Sequence, residues 1–211
     1  MKQIIGYIKY DYMSTKQGLA YMALVFLFVV GMFCMKNGST MAVGYMMFGG
    51  LVMAGSTFAA TTHTVSFTAL APGRIWQKVA GRYLSGALMV TVFGAAGALV
   101  TILFSLTGLG GNAIPGSYFM MLLGVSFIFL AIQNVLLYLL TPYLGMQLAG
   151  LARMLPAFVM FFGVSSLMAE DGVMAIVEKI NFAVMLPAAG VILLILSAAV
   201  SCCVIRNRDN E

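Results

Sequence analysis

Ala71-Pro-Gly-Arg-Ile-Trp-Gln-Lys-Val-Ala-Gly-Arg-Tyr83 is the internal stretch where positive charge gathers, and it lies between two long apolar runs. Pro72 suits the first turn of a helix, where a missing N–H costs nothing. From there Arg74, Lys78 and Arg82 follow at i, i+4 and i+8, a single helical face. Ile75 and Val79 form a second stripe, with Trp76 and Ala80 beside it. The pattern predicts a short helix along a membrane surface, apolar side toward the acyl boundary and cations toward water and headgroups. Ordinary flanking positive charge in a loop is the competing reading.

Composition sets the surroundings of that stretch. Hydrophobic residues make up 62% of the 211 residues and charged residues 8%, against roughly 45–50% and 25% in an ordinary soluble domain. Mean hydropathy is +1.03. A chain with so little polar surface cannot solvate itself in water, so an integral membrane protein without a separate soluble domain is expected. Its net charge of +5 then reads as a topology signal and not as a nucleic-acid footprint. Cys34, Cys202 and Cys203 form no disulfide or metal framework by spacing. The first apolar run has no small-residue cleavage site after it and reads as a retained span.

In chain order, residues 1–16 predict an interfacial helix, with Ile4, Ile5, Ile8 and Tyr12 at roughly helical spacing. Six spans follow, at about 18–35, 41–70, 83–106, 118–140, 147–168 and 183–204. The second would be about 45 Å long as helix, against roughly 30 Å of hydrocarbon. Its first half carries Gly49, Gly50, Ala54 and Gly55, and the third span carries Gly94 and Ala98. Small residues of this kind permit close helix approach. The second half of the second span turns polar at Thr61, Thr62, His63 and Thr64, which predicts a wet cavity or an exit from the membrane. Gln133 and Asn134 lie inside the fourth span and either line a pathway or hydrogen-bond a neighbouring helix. The fifth span holds Arg153 and Pro156, and a short interfacial helix is expected between it and the sixth. The fold class is therefore all-α, one transmembrane domain over residues 1–211.

Charge orients this arrangement. Six spans put Lys2, Lys9, Lys16, Arg74, Lys78, Arg82, Arg153, Arg206 and Arg208 on one side, and only Lys36 and Lys179 on the other. The side richer in Lys and Arg is cytoplasmic, so both termini are expected there.

An enzyme reading finds little to build on. The chain has no GxxxxGK[ST], HExxH or GxSxG sequence, and His63 is its single histidine. No catalytic or metal-binding residue is assigned. The six predicted spans hold no acidic residue, which weighs against proton- or cation-coupled transport.

Pro72, Val79, Arg82 and Tyr83, together with the order of spans, resemble the small six-span permeases of type-2 ABC exporters. Phenol-soluble-modulin and other antimicrobial peptide exporter permeases are the near analogy. Members often end the second span with Leu-Pro and open the third with Arg/Lys-Tyr. Here Ala71 stands in place of the leucine, Arg74 comes one position early, and the acidic residues often seen upstream are missing. The resemblance implies that 71–82 is a cytoplasmic coupling helix held in a groove of a separate ATPase, through Pro72, Arg74, Ile75, Trp76, Lys78, Val79 and Arg82. It also implies two ATPase subunits and a second permease, identical or homologous, in the bacterial cytoplasmic membrane. ATP and Mg would be bound by the ATPase, leaving no cofactor in this chain. The expected cargo is an amphipathic or antimicrobial peptide or a similar hydrophobic compound, and Thr61, Thr62, His63, Gln133 and Asn134 are the candidate pathway residues. The alternative is the substrate-binding membrane component of a vitamin uptake system. That class carries an Ala-xxx-Ala docking pattern in its first span, whereas Ala20 and Ala23 here are spaced one residue short.

Overall fold

A computed structural model describes residues 4–9, 12–13, 42–62, 74–107, 116–140 and 182–208, with positions 20, 24, 28 and 159. Five helices occur among them: α1 (4–9), α2 (Ala42–Thr62), α3 (Ile75–Leu106), α4 (Gly116–Leu140) and α5 (Phe182–Arg208). The described residues contain no strand. Three stretches, Ile75–Leu106, Gly116–Leu139 and Phe182–Asn207, are long and apolar enough to cross a membrane. The apolar run Ala42–Ser56 in α2 is shorter. Apolar helices are the natural outcome of this composition, because only a helix satisfies its backbone polar groups within one segment of lipid-buried chain.

α3 corrects the reading of the basic stretch. Its helix starts at Ile75 and not at Pro72, with Arg74 as an extended N-cap at φ −70°, ψ 145°. The Gln77 side chain closes that start, since its Oε1 accepts from the Arg74 backbone N–H at 3.1 Å. In return the Arg74 carbonyl accepts from the backbone N–H of Gln77 at 2.9 Å. From Ile75 the helix continues without a break for 32 residues to Leu106, about 48 Å. The basic residues from Arg74 to Arg82 thus open the third predicted span and do not form a separate surface helix. No proline interrupts α3, and Gly81 and Gly86 are buried in helix contacts that offset their poor propensity. The predicted fourth and sixth spans coincide closely with α4 and α5. The predicted spans 18–35 and 147–168, the element between the last two spans, and residues 63–73 with Pro72 and His63 lie outside the described residues, apart from single positions.

Packing joins the long helices most closely as two pairs, α2 with α3 and α4 with α5, and each contact between helices of different pairs is smaller than either. Each pair meets at glycine. A methyl group on Gly50 would sit 2.8 Å from the Val90 Cα, and one on Gly97 would sit 2.9 Å from the Val43 Cα. These two contacts run in opposite order along the helices, so α2 and α3 are antiparallel. In the other pair, a methyl group on Gly124 would overlap the Leu186 carbonyl carbon and lie 2.5 Å from the Pro187 nitrogen. A methyl group on Gly190 would lie 2.8 Å from the Gly124 carbonyl oxygen. Farther along, the Ser197 hydroxyl donates to the Ala131 carbonyl at 2.8 Å. Residue numbers rise together on both helices, so α4 and α5 are parallel. α2 runs the same way as α4: Ser126 Oγ lies 3.5 Å from Met47 Sδ, and Gln133 Nε2 donates to the Leu51 carbonyl at 3.2 Å.

The core follows from this arrangement. Val43, Met47 and Leu51 of α2 pack with Val90 of α3 and with Tyr118, Leu122 and Leu130 of α4. α5 keeps most of its apolar surface exposed, including Val184, Ile192, Ile195 and Leu196. That pattern suits a helix facing lipid.

Candidate functional site

Helix directions gather the charge at one end. The start of α3 lies with the ends of α2, α4 and α5, because α3 alone runs against the others. Arg74, Lys78, Arg82, Arg206 and Arg208 therefore share one end of the bundle. α1, which carries exposed Lys9, joins them, since a methyl group on Gly81 would touch the Tyr7 Cβ at 2.9 Å. Every charged residue among the described ones is a cation at this end. The opposite end, at Ala42, Leu106, Gly116 and Phe182, has none among the described residues.

This concentration is unfavourable for the helix that carries most of it. A helix N-terminus bears partial positive charge, and cations there cost up to about 1 kcal/mol each where exposed. α3 has no acidic residue in its first turn and holds Arg74 and Lys78 there or beside it. An anionic counter-surface, lipid phosphate or an acidic partner, would relieve that strain.

Side chains at the start of α3 divide into two sets. Arg74 and Trp76 are exposed, Trp76 at 48%. Ile75, Lys78 and Arg82 are half-buried. Val79 is fully buried at 0%, so it anchors α3 inside this chain and is unavailable to a docking partner. A docking face would be made of Arg74, Ile75, Trp76 and Lys78 without it.

A second cluster lies one to two turns deeper. Tyr83 of α3 is buried, and its hydroxyl sits 2.6 Å from Ser197 Oγ and 2.9 Å from Ser201 Oγ, both on α5. Proton counting gives the chain a direction. Ser197 spends its hydrogen on the Ala131 carbonyl, so Tyr83 must donate to Ser197 and Ser201 must donate to Tyr83. The result is Ser201 to Tyr83 to Ser197 to the Ala131 carbonyl, a relay that ties α3, α5 and α4 together. Bonds in such a chain polarise and strengthen one another.

Of the candidate pathway residues, Gln133 is fully buried and hydrogen-bonded to α2 through the Leu51 carbonyl. Its amide thus joins α4 to α2. Asn134 is also buried, and its Nδ2 has no hydrogen-bond partner among the described residues. Thr61 and Thr62 close α2; their side chains and His63 lie outside the described residues. Sequence reasoning missed Ser197 and Ser201 and used Tyr83 only for the resemblance. The available signal was the i, i+4 spacing of the two serines in an otherwise apolar run. Among the described residues no His, Cys, Asp and Glu come together as a metal-binding group.

Compared with family models, with curated proteins and with solved structures, the chain matches none.

Proposed function

We propose that this chain is the membrane-spanning permease subunit of an ATP-driven exporter, energised by a separate ATPase that docks on the start of α3. The observation that carries the reading is the continuity of α3 from exposed Arg74 and Trp76 into the buried contacts at Val79, Tyr83 and Gly86. A partner pushing on the first turn would move a rigid rod already packed into the core, with no joint to absorb the displacement. The described charges at this end are all cations, which are complementary to an acidic groove.

The reading has six spans and both termini in the cytoplasm of a bacterial cell. Parallel α4 and α5 support an odd number of crossings between them, and the apolar run 147–168 falls in that interval. The cations at one end support the orientation. In the complete transporter two ATPases, which bind ATP and Mg, face two permeases, with a hydrophobic or amphipathic peptide as cargo.

Trp76→Ala tests the docking face. A buried aromatic anchor at an interface often contributes about 2 kcal/mol or more, so the variant should lose co-purifying ATPase while inserting normally. Normal co-purification and normal transport would sink the assignment. Thiol-accessibility mapping should independently find Lys78 on the cytoplasmic side and Asp171 on the outer side.

A further inference from the structure

We infer that the Ser201–Tyr83–Ser197 hydroxyl chain is a latch, holding the α2–α3 pair against the α4–α5 pair near the cationic end and releasing it at little cost. Three observations carry this. Each pair is closed by glycine contacts at backbone distance, whereas no single contact between helices of different pairs is as extensive as the contact within either pair. Each pair therefore moves as a unit, and the seam between them is the place to yield.

Second, the latch crosses that seam. Tyr83 belongs to one pair, and Ser197, Ser201 and Ala131 belong to the other. It sits about 13 Å along α3 from Arg74, so a displacement of the first turn reaches it through continuous helix.

Third, opening strands none of the three latch hydroxyls, although the Gln133–Leu51 bond also crosses the seam. Ser197 keeps its bond to Ala131, which lies within its own pair. Ser201 can turn its hydrogen to the carbonyl one turn back, at residue 197. Three hydroxyls in this chain already bond backward in this way: Thr91 to Ala87, Thr101 to Gly97 and Ser126 to Leu122. The Tyr83 hydroxyl, near the cationic end, meets headgroups and water. An all-apolar seam would offer no discrete second state, and a stranded hydroxyl would make opening costly. The latch stands on the contacts within this chain and does not require the partner to be an ATPase.

Spin-label distances test it on the purified full-length chain in bicelles, with Cys34, Cys202 and Cys203 replaced by serine or alanine. Labels at exposed Leu84 of α3 and Val200 of α5 report across the seam. Labels at exposed Met120 of α4 and Val184 of α5 report within one pair. Tyr83→Phe keeps the ring and deletes the bonding hydroxyl, so it should raise the population with longer 84–200 separation about thirtyfold over wild type, as expected for losing two net hydrogen bonds. Ser197→Ala and Ser201→Ala should each do less, about fivefold, because one bond from Tyr83 across the seam survives either substitution. The 120–184 distance should stay narrow throughout. An unchanged 84–200 distribution in Tyr83→Phe overturns the latch. Broadening of both distances together also overturns it, since the hydroxyls would then serve only general stability.

Discussion

Where α2 crosses α3, close approach is shared among Gly50, Gly94 and Gly97, and the contact is filled by Val43, Met47 and Val90. Where α4 meets α5, Gly124 and Gly190 face each other, and one hydroxyl bond, from Ser197 to the Ala131 carbonyl, joins the helices farther along. The first crossing is spread out and apolar. The second brings backbone against backbone at its glycines and adds a polar bond. Helices in lipid gain little from hiding apolar surface, because lipid tails are equally apolar. Association must then come from tight packing or from hydrogen bonds, and the two pairs use these in different proportions.

The sharpest test adds one methyl group to each crossing. Gly124→Ala should be the most damaging, because the new carbon would collide with the backbone of Leu186 and Pro187. Pro187 has no backbone N–H, and its ring restricts how that turn can move aside. A loss of about 3 kcal/mol is expected, the upper part of the ordinary overpacking range. Thermal unfolding in detergent would measure it, and stability equal to wild type would mean that α5 is free to shift. Gly50→Ala and Gly97→Ala also meet backbone, but at 2.8 Å and 2.9 Å. About 2 kcal/mol each is expected.

Gly94→Ala separates backbone from side-chain collisions. Its methyl would lie 2.5 Å from Met47 Cε, the far end of a flexible side chain. Methionine adapts readily, so this variant should cost about 1 kcal/mol or less. If it costs as much as Gly50→Ala, the ranking by what is struck is wrong.

Gln133→Leu tests a polar tie between the pairs. The substitution removes the bond to the Leu51 carbonyl, and helix-to-helix bonds of this kind average about 0.6 kcal/mol in a membrane protein. A Gln133 that chiefly lines a transport path predicts the reverse: near-normal stability with a large change in cargo export. Smallest of all, Trp76→Ala should leave the unfolding of the isolated chain within about 0.5 kcal/mol of wild type, because its side chain projects from both crossings. A larger drop would move Trp76 from a partner surface into this chain's own core.

Legibility differed between fold and site. The limits of α4 and α5 were readable within a few residues, because long apolar runs leave little choice but helix. The start of α3 was not. Pro72 drew it too early, since a proline at a helix start is a local preference, whereas Gln77 reaching back to Arg74 selects the true N-cap. The α2–α3 crossing was partly visible in Gly50 and Gly94, although Gly97, which also meets the α2 backbone, was not singled out. Gly124 and Gly190 gave no local sign, because each stands without a small partner one turn away.

The sequence by itself determined the membrane class, the helical content and the sign of the charge near α3, because composition, periodicity and net charge are sums over residues that ignore which distant segments meet. The gathering of the described cations at one end needed the helix directions, and those came only from contacts such as Gly124 with Gly190 and Leu51 with Gln133. Tertiary structure alone placed Tyr83 against Ser197, a residue 114 positions away. A hydroxyl in an apolar helix is satisfied equally well by its own preceding turn or by a neighbouring helix. Only the packed distance between helices chooses between the two.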